Sequence, residues 1–140
     1  MKILFDTNVV LDVLLDRAPH VDPASKLFSL VDAERIDGAV CATTITTIYY
    51  IAAKSFSAAK AKKEIRKLLA LFEVAPIDKH VLDAALQLTF RDYENAVLYE
   101  ATQAVGADAI VTRDQAGFPR AKLPILAPAE LLAAIAATEQ

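Results

Sequence analysis

The chain has 140 residues, of which 55% are hydrophobic and 24% are charged, and its formal net charge is −3. This balance excludes a disordered chain, and the single cysteine excludes both a disulfide framework and a multi-cysteine zinc site. The net charge gives no general nucleic-acid signature, so any RNA or DNA binding must come from a local basic patch. We expect one domain spanning residues 1–140, because this length suits a single hydrophobic core.

The sequence has no sign of a membrane or secretory segment. No apolar run approaches the roughly 20 residues needed to cross a bilayer. The apolar start reaches Asp6 too soon for a signal peptide. We therefore expect a soluble, cytoplasmic protein with no membrane partner.

The predicted elements alternate between short apolar strands and helices. Strands are predicted at 1–5, 39–42, 73–77, 109–112 and 124–126. Helices are predicted from Thr7 to before Pro19, at 23–35, 43–56, 58–72, 81–89 and 93–105, and from Pro128 onward. Asp37-Gly38 is predicted as a turn, and 43–56 as a helix in spite of its β-branched residues. Short strands joined by helices predict an α/β fold with a parallel sheet covered on both faces.

Acidic residues follow the predicted strands at positions where a ligand site is expected. In open parallel sheets, ligands bind beyond the carboxyl ends of the strands. Asp6 ends the first strand, Asp114 follows the fourth, and Asp92 begins the helix before the fourth. These three carboxylates are predicted to converge on one hard divalent cation, Mg²⁺ or Mn²⁺, which prefers oxygen ligands. A metal held in this way turns water into a nucleophile and stabilises charge on a phosphate.

Each of these acids also has a simpler interpretation. Asp92 is typical of a helix cap, and Glu94 of an acid that complements the helix dipole. Asp6 also suits a cap, and Asp114 a turn. Asp12, one helical turn after Asn8, faces either the same cleft or solvent. The joint placement of the acids at one sheet edge favours the site.

Basic residues near the same edge are candidates for binding substrate phosphates. Arg91 and Arg113 lie close in sequence to the proposed metal ligands. A second basic cluster falls on the helix at 58–72 and just before it. It is either a solvated face or a track for a phosphate backbone. Its members are Lys54, Lys60, Lys62, Lys63, Arg66 and Lys67.

The sequence resembles the PIN-domain family, and more narrowly its toxin-like ribonucleases of the VapC kind. The likeness covers nearly the whole chain. It rests on the opening Met1-Lys-Ile-Leu-Phe-Asp-Thr-Asn-Val-Val-Leu-Asp12 and on Gly106-Ala-Asp-Ala-Ile-Val-Thr-Arg-Asp114, followed by Gly117-Phe118. The resemblance implies a three-layer α/β/α domain with a mainly parallel sheet. It also implies Mg²⁺- or Mn²⁺-dependent cleavage of single-stranded RNA, a homodimer and, in toxin members, a small antitoxin partner.

The family pattern assigns roles to individual residues. Asp6 and Asp114 match the family's first and last acids, and Asn8 matches the polar residue near the first. Thr47 stands where the family usually has a glutamate, and Asn95 stands where it has a third acid. In the leading hypothesis Asp6, Asp92 and Asp114 hold the cation and Asn95 supplies a ligand or orients water. Asn8, Thr47 and Thr112 then have positioning roles.

Two other functions remain open at the level of sequence. Thr47 and Asn95 are also what a degenerate PIN-like module, binding protein or RNA without catalysis, would show. A phosphatase with Asp6 as its nucleophile is a third reading. That chemistry normally needs a second acid two residues later, where this chain has Asn8.

Overall fold

The centre of the molecule is a sheet of five parallel strands. The computed structural model describes residues 1–139. Within them the strands are β1 (Lys2–Phe5), β2 (Asp37–Cys41), β3 (Glu73–Ala75), β4 (Ala109–Val111) and β5 (Ile125–Leu126). They lie in the order β3-β2-β1-β4-β5, and each neighbouring pair is parallel. The predicted α/β class and the parallel sheet are confirmed.

Seven α-helices in residues 1–139 connect and cover these strands. They are α1 (Thr7–Leu14), α2 (Val21–Asp32), α3 (Ala42–Ser55), α4 (Ala58–Leu71), α5 (Lys79–Leu86), α6 (Tyr93–Ala104) and α7 (Pro128–Thr138). Side chains cap several of them. Ser57 Oγ accepts from Lys60 N, and Asp78 Oδ1 accepts from Val81 N. Gly106, with φ of 68°, follows the end of α6 as expected for a residue in the left-handed region.

The helices form a layer on each face of the sheet. Ile3 and Phe5 of β1 point into one apolar core, which is covered by α1, α2, α3, α4 and α7. Leu4 points the other way, into a second core that is covered by α5 and α6. This alternation is the period of two that a strand buried on both faces must have. The result is the three-layer α/β/α arrangement that the family resemblance implied.

The prediction of a turn at Asp37-Gly38 is wrong. Both residues belong to β2, where Asp37 pairs with Lys2 and Gly38 with Ile3. The glycine serves close packing instead of a turn, because a Cβ at position 38 would lie 2.7 Å from ring carbons of Phe72. The helix predicted at 43–56 does form, as α3. Its buried Thr44, Ile48 and Ala52 recur every four residues, so packing outweighs the local strand preference.

No helix in residues 1–139 is long and apolar enough to cross a membrane.

Substitution of Gly38 by alanine tests the close approach between β2 and Phe72. The added methyl group has no room unless the Phe72 ring moves, so we expect a loss of about 1–3 kcal/mol in the free energy of unfolding. Urea denaturation measures this loss as a lower midpoint. Gly106→Ala is the matched control: nothing lies within 4 Å of its Cβ, and only the positive φ opposes it. If Gly38→Ala unfolds at the wild-type urea concentration, the packing argument fails.

Candidate functional site

A cleft of about 330 Å³ opens at the carboxyl ends of β1 and β4. The strand order reverses between these two strands, since β2 and β3 lie on one side of β1 and β4 and β5 on the other. Such a switch point leaves a crevice that the connecting helices do not fill, which is where open parallel sheets bind ligands. Side chains from α1, α3 and α6 line it, together with side chains from the segments that follow β1, α1 and β4.

Asp6 is the buried anchor of this cleft. The residue is 7% exposed and stands between β1 and α1, with its amide nitrogen donating to Val111 O on β4. Its carboxylate accepts from Thr7 N at Oδ1 (2.7 Å) and from the Thr112 hydroxyl at Oδ2 (2.7 Å). Asp6 thus caps α1 and bonds to the end of β4 at the same time.

Burial raises the pKa of the Asp6 carboxyl above its ordinary value of 3.8, and the negative charges of Asp114 and Glu94 raise it further. The hydrogen bonds from Thr112 and Thr7 act in the opposite direction but do not cancel the effect. The negative charges of Asp114 and Glu94 therefore oppose the ionisation of Asp6. A cation bound among them would relieve that repulsion.

The side chains of Asp114 and Asn95 both lie close to Gly117. A Cβ at position 117 would lie 2.3 Å from Asp114 Oδ2 and 2.6 Å from Asn95 Nδ2, so only glycine fits between them. Asn95 Nδ2 donates to Gly117 O at 3.3 Å. The amide nitrogen is occupied in this way, and the carbonyl oxygen of Asn95 is the atom left to serve as a neutral ligand.

The third acid that lines the cleft is Glu94, and Asp92 does not line it. Asp92 is the N-cap of α6, and its Oδ1 accepts from Glu94 N (2.9 Å) and Asn95 N (3.3 Å). A capping side chain folds back onto the first turn, whereas the second and third helical residues project from it. The structure therefore brings Glu94, and not Asp92, to the same cleft as Asp6 and Asp114. The sequence feature that points to Glu94 is its spacing from Leu98, which lies four residues later in the chain and lines the same cleft.

Two polar residues hold the segment after β4 in place. The Thr112 hydroxyl accepts from Asp114 N at 3.0 Å and lies 3.3 Å from Asn8 Nδ2. Asn8 Oδ1 accepts from Arg113 N at 3.2 Å. Both residues therefore bond to the backbone of the segment after β4. Thr47 of α3 also lines the cleft.

The two arginines predicted to bind phosphate lie in different surroundings. Arg91 is exposed and does not line the cleft, whereas Arg113 lines it. The guanidinium of Arg113 forms an ion pair with Asp12. Arg17 forms a second ion pair with the same carboxylate and also lines the cleft. Asp12 faces neither solvent nor the open cleft, because it is fully buried. Sequence reasoning missed Arg17, which lies five residues after Asp12.

A family model for the PIN domain matches residues 2–116. The chain belongs to the PIN-domain family. The match includes β1 through β4 and all of the acids that line the cleft.

Similar proteins agree with this assignment. Ribonuclease VapC1 of Aquifex aeolicus (strain VF5) is 24% identical over 119 residues, which cover 81% of this chain and 82% of that protein. A chain of the Rickettsia felis VapBC2 complex, solved with a promoter DNA fragment, superposes with a TM-score of 0.69 at 16% identity, over 89% of this chain and 97% of that one. A chain of a toxin–antitoxin complex from Klebsiella pneumoniae gives 0.68 at 19%, over 90% and 97%. At these identities the structures show a shared PIN fold.

The pH dependence of stability tests the state of Asp6 in this PIN domain. Because its folded pKa is raised, the folded protein binds more protons than the unfolded chain just above pH 3.8. The contribution of Asp6 to the free energy of unfolding should therefore fall as the pH rises from 3.8 through the pKa of the folded state. It should stay low at higher pH. Urea denaturation across pH 4–8 should show wild type losing stability relative to Asp6→Asn over that window.

Asp83→Asn, at an exposed position on α5, controls for the loss of one negative charge. A difference between wild type and Asp6→Asn that does not change with pH would contradict the raised pKa.

Proposed function

We propose that this PIN-domain protein is a divalent-metal-dependent endoribonuclease that cleaves single-stranded RNA and acts as the toxin of a toxin–antitoxin pair. One observation carries the proposal: three carboxylates, those of Asp6, Glu94 and Asp114, line one cleft together with two arginines. Acids suit a cation, arginines suit phosphate, and phosphodiester hydrolysis needs both. The similarity to a protein named ribonuclease VapC1 supports the substrate class.

The residues of the cleft fit a hard cation by their chemistry. Carboxylate oxygens of Asp6, Glu94 and Asp114 and the carbonyl oxygen of Asn95 are the donors that Mg²⁺ and Mn²⁺ prefer. Among residues 1–139, no group of three or more His, Cys, Asp or Glu side chains is already arranged to hold an ion. Binding would therefore draw the acidic side chains together. Glu94 and Asp114 are exposed, whereas Asp6 is buried and held by its two hydrogen bonds.

In the proposed reaction, a divalent cation held by these residues would supply an activated water and would stabilise the charge that develops on the phosphate. Asp6 provides the fixed ligand, because Thr7 and Thr112 hold its carboxylate from two sides. Asp114 is held near Asp6 through Thr112, which accepts from its amide. Asn95 and Thr47 stand in the cleft as neutral groups that orient water or ligand. Arg113 and Arg17 contribute positive charge to the same cleft.

The proposed partners follow from the solved relatives. The similar chains from Rickettsia felis and Klebsiella pneumoniae come from VapBC and toxin–antitoxin complexes. We therefore include a small antitoxin in the proposal, and we keep the homodimer that the family resemblance implies. Tyr50, Phe56, Leu69 and Leu86 are large hydrophobic side chains exposed on the isolated chain, and a partner surface would cover such groups.

A catalytically inactive binding module is the second candidate. It is favoured by Thr47 and Asn95, which replace two acids of the family pattern, and by the lack of a preassembled ligand group among the described residues. This candidate predicts no Mn²⁺ binding below millimolar concentrations in calorimetry. Tight binding that disappears in Asp6→Asn would exclude it.

The Asp6→Asn substitution separates these candidates. We expect the variant to fold but to lose RNA cleavage, because it removes a negative ligand while keeping an oxygen for the Thr7 amide. Cleavage of a labelled single-stranded RNA would be followed with Mg²⁺, Mn²⁺ or EDTA, with the variant as the control for contaminating nuclease. Mn²⁺ should raise the melting temperature of wild type and leave that of Asp6→Asn unchanged. Cleavage at the wild-type rate by the variant would refute the role of Asp6.

A matched pair of substitutions on α6 tests which acid serves the site. Glu94→Gln should reduce cleavage by at least about tenfold, because a charged group that lines the cleft becomes neutral. Asp92→Asn should keep cleavage close to wild type, because asparagine caps helices as well as aspartate. Initial rates at saturating Mg²⁺ measure both. The reverse pattern would restore Asp92 to the ligand set.

A further inference from the structure

Asp12 is a fully buried carboxylate with two arginine partners. Its Oδ1 accepts from Arg17 Nε at 2.8 Å and from Arg113 Nη2 at 3.1 Å, and its Oδ2 accepts from Arg113 Nε at 2.6 Å. Arg17 Nη2 also donates to Asn8 O. Each guanidinium is therefore held by two hydrogen bonds and has little freedom to reorient.

The charges of this group do not balance. Two guanidiniums share one carboxylate, so the cluster carries a surplus positive charge on the wall of the cleft. The arginine side chains are 39% and 32% exposed, whereas that of Asp12 is not exposed at all. A guanidinium has about five N–H donors, and the bonds to Asp12 and Asn8 use two on each arginine. The others remain for an external anion.

Asp12 also prevents a competing arrangement. Arg113 stands in the chain directly between Thr112, which is bonded to Asp6, and Asp114. Without a nearer anion, its guanidinium would pair with the acids of the cleft and neutralise them. The buried carboxylate keeps the cations and the acids of the cleft apart, so one wall can bind metal and another phosphate.

Arg113 lies between two cavities. Besides the acidic cleft, it lines a separate and mostly apolar cavity of about 300 Å³, together with His20, Pro23 and Pro128. A strand that passes from one cavity to the other must cross Arg113. The phosphate next to the reacting one would then lie over the guanidiniums, and the following nucleoside over the apolar cavity.

We propose that Asp12 holds Arg17 and Arg113 as a preformed clamp for the RNA phosphate adjacent to the one that is cleaved. The proposal rests on the function proposed above for its substrate class. Asp12 is a positioning residue in it, since it acts through the two arginines. Holding the guanidiniums in place before binding lowers the entropy cost of capturing a phosphate.

Arg17→Gln tests the clamp by RNA binding in EDTA, where no cleavage is needed. The fluorescence anisotropy of a labelled 20-nucleotide single-stranded RNA would be measured from about 50 to 200 mM salt. We expect about tenfold weaker binding and a salt slope reduced by about 0.7, the value for one lost phosphate contact on a single strand. Arg17→Lys keeps the charge and should recover part of the slope.

Arg35→Gln is the matched control, because Arg35 also pairs with a carboxylate, Glu139, but precedes β2 at the opposite edge of the sheet. It should bind RNA like wild type. Equal losses in Arg17→Gln and Arg35→Gln would overturn the clamp, since only net charge would then matter. Wild-type affinity and slope in Arg17→Gln would also overturn it.

Asp12→Asn distinguishes a clamp from a simple excess of charge. Removing a negative charge should strengthen RNA binding if net charge decides, but weaken it if the arginines must be held in place. We expect weaker binding by at least about threefold in protein that circular dichroism shows to be folded. Stronger binding would overturn the positioning role. If this variant does not fold, the Arg17 variants decide the proposal.

The same titrations separate this proposal from the proposed function. RNA binding that depends on Arg17, in a protein that cleaves nothing with Mg²⁺ or Mn²⁺, supports the clamp and refutes the nuclease. Cleavage that depends on Asp6, with RNA binding independent of Arg17, supports the nuclease and refutes the clamp. If wild type binds no RNA in EDTA, the clamp fails, and the cleavage assay with Mg²⁺ or Mn²⁺ decides the nuclease separately.

Discussion

The hydrogen bond from the Thr112 hydroxyl to Asp6 Oδ2 joins two strand ends that are 106 residues apart in the chain. The positions of several polar groups in the cleft depend on this hydrogen bond. The same hydroxyl accepts from the amide of Asp114 and lies near the amide of Asn8, so one buried oxygen fixes three of the polar groups around it. The anchored carboxylate is costly to ionise, because it is desolvated and faces two other acids. A PIN domain that keeps such an arrangement accepts instability at the place where a bound cation would relieve the repulsion.

Local patterns in the sequence predict the parts of the molecule that depend on local forces. Strand and helix order, the parallel sheet, and the positions of Asp6 and Asp114 all follow from hydrophobic periodicity and the strand-end rule. The choice between Asp92 and Glu94 does not, because it depends on which first-turn residue turns back to cap α6. The burial of Asp12 also escaped prediction, because its partner Arg113 lies 101 residues away. Likewise Asp37-Gly38 has the composition of a turn, and only its pairing with Lys2 and Ile3 of β1 shows that it is a strand.

The surroundings of Asn95 suit an amide at the position where the family usually has an acid. An aspartate at this position would lose the hydrogen bond to Gly117 O and place a second negative charge against Asp114 across the same glycine. The amide removes that repulsion and still offers an oxygen. Glu94, one residue earlier and exposed on the same turn, provides a charge that Asn95 does not. Asn95 is therefore neutral where it lies close to Asp114, and the negative charge is carried by Glu94, the more exposed side chain of the two.

The order of the strands also bears on when the cleft comes into existence during synthesis. β1 is made first, but its neighbour β4 is made more than a hundred residues later, and the residues bonded across them come from both ends of that interval. A nascent chain that stops before Ala109 contains β1, β2 and β3 yet has neither Thr112 nor Asp114. Asp6 in such a fragment lacks one of its two hydrogen bonds. Contacts between residues as far apart in the chain as Asp6 and Thr112 form late, because the long loop that separates the two residues must close first. A chain whose synthesis has not passed Asp114 therefore has no complete site.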